Sequence, residues 1–213
     1  MAQTLAQLRY WTQYLVGDPQ MTTYTSTMYK DGINFAIKEY AKKTGATYAE
    51  ATATPDSNGF ITIPTDYIRI QRVIYPISSV QTQLVESSFR FEGMKYNVWQ
   101  TTTGTPARWI LWSGQKIKLT PIPTSPLSTT IGYVQKPTDL SLDSDTVDAR
   151  IPDAHNEFLK YAAGAWLLHL DGDAQSIPLA NEYMNEFNQL IGYADPVLEA
   201  KLDKSRTKAI REV

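Results

Sequence analysis

The spacing of apolar residues changes twice along this chain, and those changes limit its possible folds more than any other feature. Leu5, Leu8, Trp11, Leu15 and Val16 recur at the repeat of one helix face. The spacing predicts a helix over 4–16, stopped by Gly17-Asp18-Pro19. The polar run 22–27 offers N-caps for a second helix, which carries Tyr29, Ile33, Ala36, Ile37 and Tyr40 on one face and ends near Thr44-Gly45. From about residue 46 the pattern changes. Residues 46–58 are rich in Ala, Thr and Ser and contain a Pro-Asp-Ser-Asn-Gly turn at 55–59. FITIP (60–64) and YIRIQRVIY (67–75) then alternate as strands do, and strand-like pieces follow around 83–85 and at 107–112, 116–122 and 128–134.

Helical spacing returns after the acidic loop DLSLDSDTVD (139–148). Pro152 suits the first turn of a helix reaching about Leu170, and another helix is expected from about Pro178 to Tyr193. Asp195-Pro196 interrupts it. The predicted fold class is α+β: a four-helix body with a β-rich domain inserted between helices 2 and 3, and an extended C-terminal tail. The expected bounds are 1–50 and 138–195 for the two parts of the body, 51–137 for the insert and 196–213 for the tail. No internal repeat is present.

The 213 residues include no cysteine, which excludes disulfides, thiolate zinc sites and cysteine nucleophiles. That suits an intracellular place of assembly. A formal charge of −2 argues against a dedicated nucleic-acid binder. The N-terminus does not read as a signal peptide, and the longest apolar run, YAAGAWLL (161–168), is far short of the ~20 residues of a membrane span, so no membrane is expected.

Both histidines lie in IPDAHNEFLKYAAGAWLLHLDGDA (151–174), among Asp153, Glu157, Asp171 and Asp173. Fourteen residues of helix put His155 and His169 about 21 Å apart, too far to share a metal ion. His155-x-Glu157 matches part of the zinc-deaminase signature, whose cysteine ligands are missing. Asp171, Asp173, Gln175 and Glu182 fall at calcium-loop positions, but the position that needs glycine holds Ser176. A helix connection capped by Asp173 or Ser176 is the simpler reading. Asp139, Asp143, Asp145 and Asp148 sit in a loop of solvated character. No catalytic residue, cofactor site or metal site is predicted.

Thirteen tyrosines and the tryptophans Trp99, Trp109 and Trp112 suggest a contact surface on the β-rich segment, although filling its core would explain them too. Arg69, Arg72, Arg90, Lys95, Arg108, Lys116 and Lys118 are interleaved with these rings. An aromatic-rich binding module for carbohydrate or single-stranded nucleic acid is therefore the alternative. Basic residues at alternate strand positions are also the ordinary solvent face of a half-buried sheet.

Several landmarks come in a distinctive order: LAQLRYWTQYLVGDP, MYKDGINFAIKEYAK, FITIPTDYIRIQRV, GTPARW, KIKLTPIP, IGYVQKP, then IPDAHNEFLKYAAGAWL leading through DGDAQ to EYMNEF. This order resembles the head-to-tail adaptor (connector) proteins of tailed bacteriophages, including the tail tubular adaptor of short-tailed phages. The resemblance implies a structural virion protein without catalytic residues, assembled in the host cytoplasm and placed in the neck between capsid and tail. It implies a homo-oligomeric ring, usually a dodecamer, with the portal protein on one side and tail or nozzle proteins on the other. DNA would pass through the channel without specific binding. It also implies that the tail docks on the portal, which singles out Lys201, Lys204, Arg206, Lys208 and Arg211. That tail carries five basic residues against three acidic ones in 199–213 and has only a thin apolar stripe, the character of a segment that orders on a partner.

Overall fold

Helix α1 (Leu5–Leu15) begins at a capping box: the Thr4 hydroxyl accepts from the Gln7 N–H while the Gln7 side chain accepts from the Thr4 N–H. The computed structural model of the chain describes residues 3–78, 80–95 and 98–194. After α1 come α2 (Ser26–Thr44), strands β1 (Tyr48–Ala53), β2 (Phe60–Thr62), β3 (Tyr67–Ile77) and β4 (Val80–Glu86), and a short helix α3 (Phe89–Lys95). Strands β5 (Thr103–Gly104), β6 (Arg108–Ser113), β7 (Lys116–Thr120), β8 (Ile122–Pro123) and β9 (Thr129–Gln135) precede a 3-10 helix (Asp153–Phe158), α4 (Leu159–Asp171) and α5 (Ser176–Ala194). The fold is mixed α+β. Two compact units divide it, one drawn from Met1–Thr47 and Pro137–Val213, the other from Tyr48–Lys136.

In the first unit α4 packs against α1, α2 and α5. The run Ala162-Ala163-Gly164-Ala165 makes this possible, because small residues let neighbouring backbones and rings approach closely. A Cβ on Gly164 would lie 3.2–3.3 Å from Leu15, Val16 and Tyr183, and one on Gly32 of α2 would lie 3.1 Å from the Trp166 ring and 3.2 Å from Ala163 O. The core joins Leu5 and Leu8 of α1, Ile33, Ala36, Ile37 and Tyr40 of α2, Leu159, Ala162 and Ala163 of α4, and Phe187 of α5. Leu140, Val147 and Ile151 from the connecting loop complete it. The α2 N-cap is Thr25, and Gly45 closes that helix at φ 72°, a conformation that favours glycine. Pro152 was expected in the first turn of an α-helix; it caps a 3-10 helix instead, and the α-helix starts at Leu159.

The second unit is a seven-stranded sheet of order β1-β9-β3-β4-β6-β7-β2, with a small parallel pair β5-β8. Its neighbours are antiparallel except β4 and β6, which run parallel over Val85↔Arg108 and Glu86↔Trp109. Ile61 and Ile117 near one end of that order share a core with Val73, Leu84, Trp109 and Ile131, so the sheet curls around a common interior. Strand β1 occupies residues that read as an Ala/Thr/Ser-rich connection. Its inward side chains are alanines, too small to announce a strand by hydrophobicity.

Candidate contact surfaces

The acidic loop is a strap tied to helices rather than an open carboxylate cluster. Asp143 forms a two-pronged pair with Arg9 of α1 at 2.8 Å per contact, and Asp139 pairs with Lys38 of α2 at 2.7 Å. Asp145 accepts from the N–H groups of Ser141 and Leu142, and Asp148 accepts from Arg150. These donors hold the carboxyls of Asp143, Asp145 and Asp148 below their ordinary range: the Arg9 guanidinium for Asp143, the Leu142 and Ser141 N–H groups for Asp145, the Arg150 guanidinium for Asp148. Loop carbonyls of Asp145 and Asp143 also accept from the N–H groups of Leu5 and Ala6, which the first turn of a helix otherwise leaves without partners. Buried Asn34 clamps the strap: its amide donates to Leu140 O at 3.0 Å and its oxygen accepts from Leu140 N–H at 2.8 Å.

The 151–174 stretch is used structurally as well. His155 Nδ1 lies 2.5 Å from the hydroxyl of Tyr40, and its ring stacks on Phe158. His169 is exposed. Asp171 accepts a hydrogen bond from the Tyr24 hydroxyl, and Asp173 caps α5 by accepting from the N–H groups of Ser176 and Gln175. Burial, and then the Asp171 carboxylate, push the Tyr24 hydroxyl pKa up. Among the described residues no three His, Asp or Glu side chains gather so as to hold a metal ion.

Sequence reasoning did not single out Asp18. It is 4% exposed, and its carboxylate accepts from the N–H groups of Thr22 (2.7 Å), Thr23 (3.2 Å) and Tyr24 (3.0 Å). The hydroxyls of Thr22 (3.0 Å) and Tyr29 (3.2 Å) also donate to it. Burial alone would raise its pKa, but these donors outweigh burial and hold it at about 2. Gly-Asp-Pro followed by threonines carried the signal, since aspartate commonly accepts from backbone a few residues on.

On the sheet, the three tryptophans separate. Trp109 is 3% exposed inside the sheet core, and Trp99 is 6% exposed. Trp112 is half-buried and meets Phe60 at 5.2 Å, Phe89 at 5.1 Å and Trp99 at 6.1 Å between ring centres. Lys118 closes this cluster from within. Its Nζ stands 4.6 Å over Phe60 and 5.5 Å over Trp112, and donates to Asn58 O and Gln100 O. Burial lowers its pKa. Arg108 lies over Phe91 and 3.4 Å from buried Glu92, while Arg72 pairs with Glu50 and donates to the Tyr48 hydroxyl. The rings open to solvent are instead Phe89 and Phe91 on α3, and Tyr10 and Tyr14, which meet at a tilt on α1.

Lys201, Lys204, Arg206, Lys208 and Arg211 lie outside the described residues. No helix among the described residues is long and apolar enough to cross a membrane. Nothing among curated proteins matches the chain. A family model does, over residues 2–210 and thus across both units, and its description is the SU10 adaptor protein. Because that match spans nearly the whole chain, this chain belongs to the SU10 adaptor protein family, a phage head-to-tail adaptor family of structural virion proteins.

Proposed function

We propose that this chain is the repeating subunit of an adaptor ring in the virion neck, set between the portal protein and the tail or nozzle proteins. The family match over residues 2–210 carries this reading. In it, α1, α2, α4 and α5 form a four-helix body, the β-rich segment 51–137 is inserted between its two halves, and 196–213 docks on the portal through Lys201, Lys204, Arg206, Lys208 and Arg211. The homo-oligomer has twelve copies, is assembled in the host cytoplasm and surrounds a channel for the genome. A net charge of −2 supports passage of DNA without specific binding, because phosphate contacts by cationic side chains drive non-specific affinity. The protein acts as a scaffold and carries no enzyme activity or cofactor. The carbohydrate or single-strand alternative is not favoured, since burial of Trp99 and Trp109 leaves no three-ring platform.

A phage unable to make this protein tests the proposal. Infected cells should accumulate heads that carry no tail, and purified protein added to the lysate should restore infectious particles. Tailed, infectious particles made without the protein would overturn it.

A further inference from the structure

The four-stranded part of the sheet, β1-β9-β3-β4, is antiparallel throughout; among the described residues β1 has no strand beyond it, and β6 covers only one end of β4. Among the described residues strand β1 pairs only with β9, so alternate N–H and C=O groups along Tyr48–Ala53 point away from the sheet. Strand β4 pairs with β6 only through Val85 and Glu86. The Val85 N–H points away from β3 and donates to Ala107 O. By the two-residue repeat of a strand, the N–H groups of Gln83 and Gln81 point the same way, beyond the reach of β6. Both glutamines are exposed.

Sheet edges are usually guarded by proline, lysine, a bulge or short length. The outermost strand β2 follows that rule, with three residues and Pro64 soon after it. The two edges at issue do not. Neither Tyr48–Ala53 nor the 80–84 part of β4 contains proline or lysine, and the one charge among them, Glu50, is neutralised by Arg72. The two open stretches are nearly equal in length, and both belong to the same chain. If one sheet continued from copy to copy, the alternation of strand sense would make β4 antiparallel to the next copy's β1. Such a contact joins two different surfaces of each subunit, the head-to-tail kind that closes rings.

We propose that β1 of one copy adds to the 80–84 edge of β4 on the next, so that neighbouring subunits share a continuous antiparallel sheet. The proposal rests on the ring reading above and names the contact that closes it. Absence of native cysteine makes cross-linking a clean test. Thr52 lies on the face opposite core-packed Ala53, as Gln81 and Gln83 lie opposite core residue Leu84, so these positions share the outer face. The full-length chain carrying Thr52→Cys with Gln81→Cys, or Thr52→Cys with Gln83→Cys, is assembled on the portal of its own phage and oxidised. One of the two pairs should give a ladder of two, three and more covalently joined copies that collapses with reductant. Thr52→Cys alone should give single chains.

Portal-bound assemblies of normal copy number that yield no ladder from either pair overturn the shared sheet and leave the ring standing. Dimers from Thr52→Cys alone overturn it by showing a symmetric β1–β1 contact. Failure of the unaltered chain to assemble at all removes the ring and this contact together. Gln83→Pro is an independent check: it deletes an outward N–H while sparing the bonds to β3. It should weaken assembly roughly tenfold with an unchanged circular dichroism spectrum, the equivalent of one or two hydrogen bonds. Unchanged assembly by this variant also overturns the proposal.

Discussion

Replacing Asp18 by asparagine should destabilise the helical unit by about 2–3 kcal/mol, far more than a loop substitution ordinarily costs. One carboxylate oxygen accepts from the Thr22 N–H and hydroxyl, and the other from the N–H groups of Thr23 and Tyr24 and the Tyr29 hydroxyl. Asparagine keeps its oxygen where three donors converge, which leaves its NH2 group facing the Thr22 N–H. A buried donor without an acceptor costs about 1–3 kcal/mol, and the remaining bonds lose the reinforcement of a charged acceptor. Relief from burying a charge offsets part of this. Urea unfolding of parent and variant, followed by circular dichroism, measures the difference. Its pH dependence has a definite sign. The Asp18 carboxyl titrates near 2 in the folded chain against an ordinary 3.8, so its stabilisation is fully present above about pH 5. As pH falls from about 5 towards 2, the unfolded parent takes up the proton first, and the gap between parent and variant narrows. A gap below about 0.5 kcal/mol at pH 7, or one that stays constant down to pH 3, refutes this reasoning.

Three other outcomes follow from the packing. Gly132→Ala should cost about 1–3 kcal/mol, because a Cβ there collides with the Tyr48 hydroxyl and lies 2.7 Å from Arg72 Cγ; an unfolding midpoint equal to the parent's would contradict it. Asn34→Ala should cost about 2–4 kcal/mol by stranding the N–H and C=O of buried Leu140, whereas Asp143→Ala should cost less, about 1 kcal/mol or under, because the Asp143 end of its two-pronged pair with Arg9 is open to solvent. The reverse order in urea unfolding would mean that ion pairs, not the amide clamp, hold the acidic loop. Titration with single-stranded oligonucleotides or glycans should leave tryptophan fluorescence unchanged, and a saturable shift would revive the binding-module alternative.

The α+β class, the α1 and α2 boundaries and most large-residue strands were legible because apolar period and capping agree locally. Thr4 and Thr25 cap the helices they precede, and Gly45 ends one. Strand β1 was hidden by its alanines, and α3 by its length of seven residues, too short for a periodic signal. Lys118 was misleading for a different reason. The alternation in KIKLT places it opposite Ile117, which reads as solvent-facing, yet the aromatic cluster of Phe60, Trp112, Phe89 and Trp99 gathers on that side and the ammonium is buried. Periodicity reports which side of a strand a residue takes, and only tertiary packing decides whether that side is covered. The Asp18 cap is local and its Gly-Asp-Pro-threonine signal was present in the sequence, whereas the Asn34 clamp was illegible for a related reason. Asn34 acts on Leu140, 106 residues away, a pairing that local sequence does not encode.

Native mass spectrometry of the chain mixed with the portal of its own phage, beside a version ending at Asp195, tests the central claim most directly. The adaptor account predicts that the full chain decorates the portal ring in one closed set of twelve copies and that the shortened chain does not. A full chain that leaves the portal bare under conditions where the portal ring is intact would contradict it.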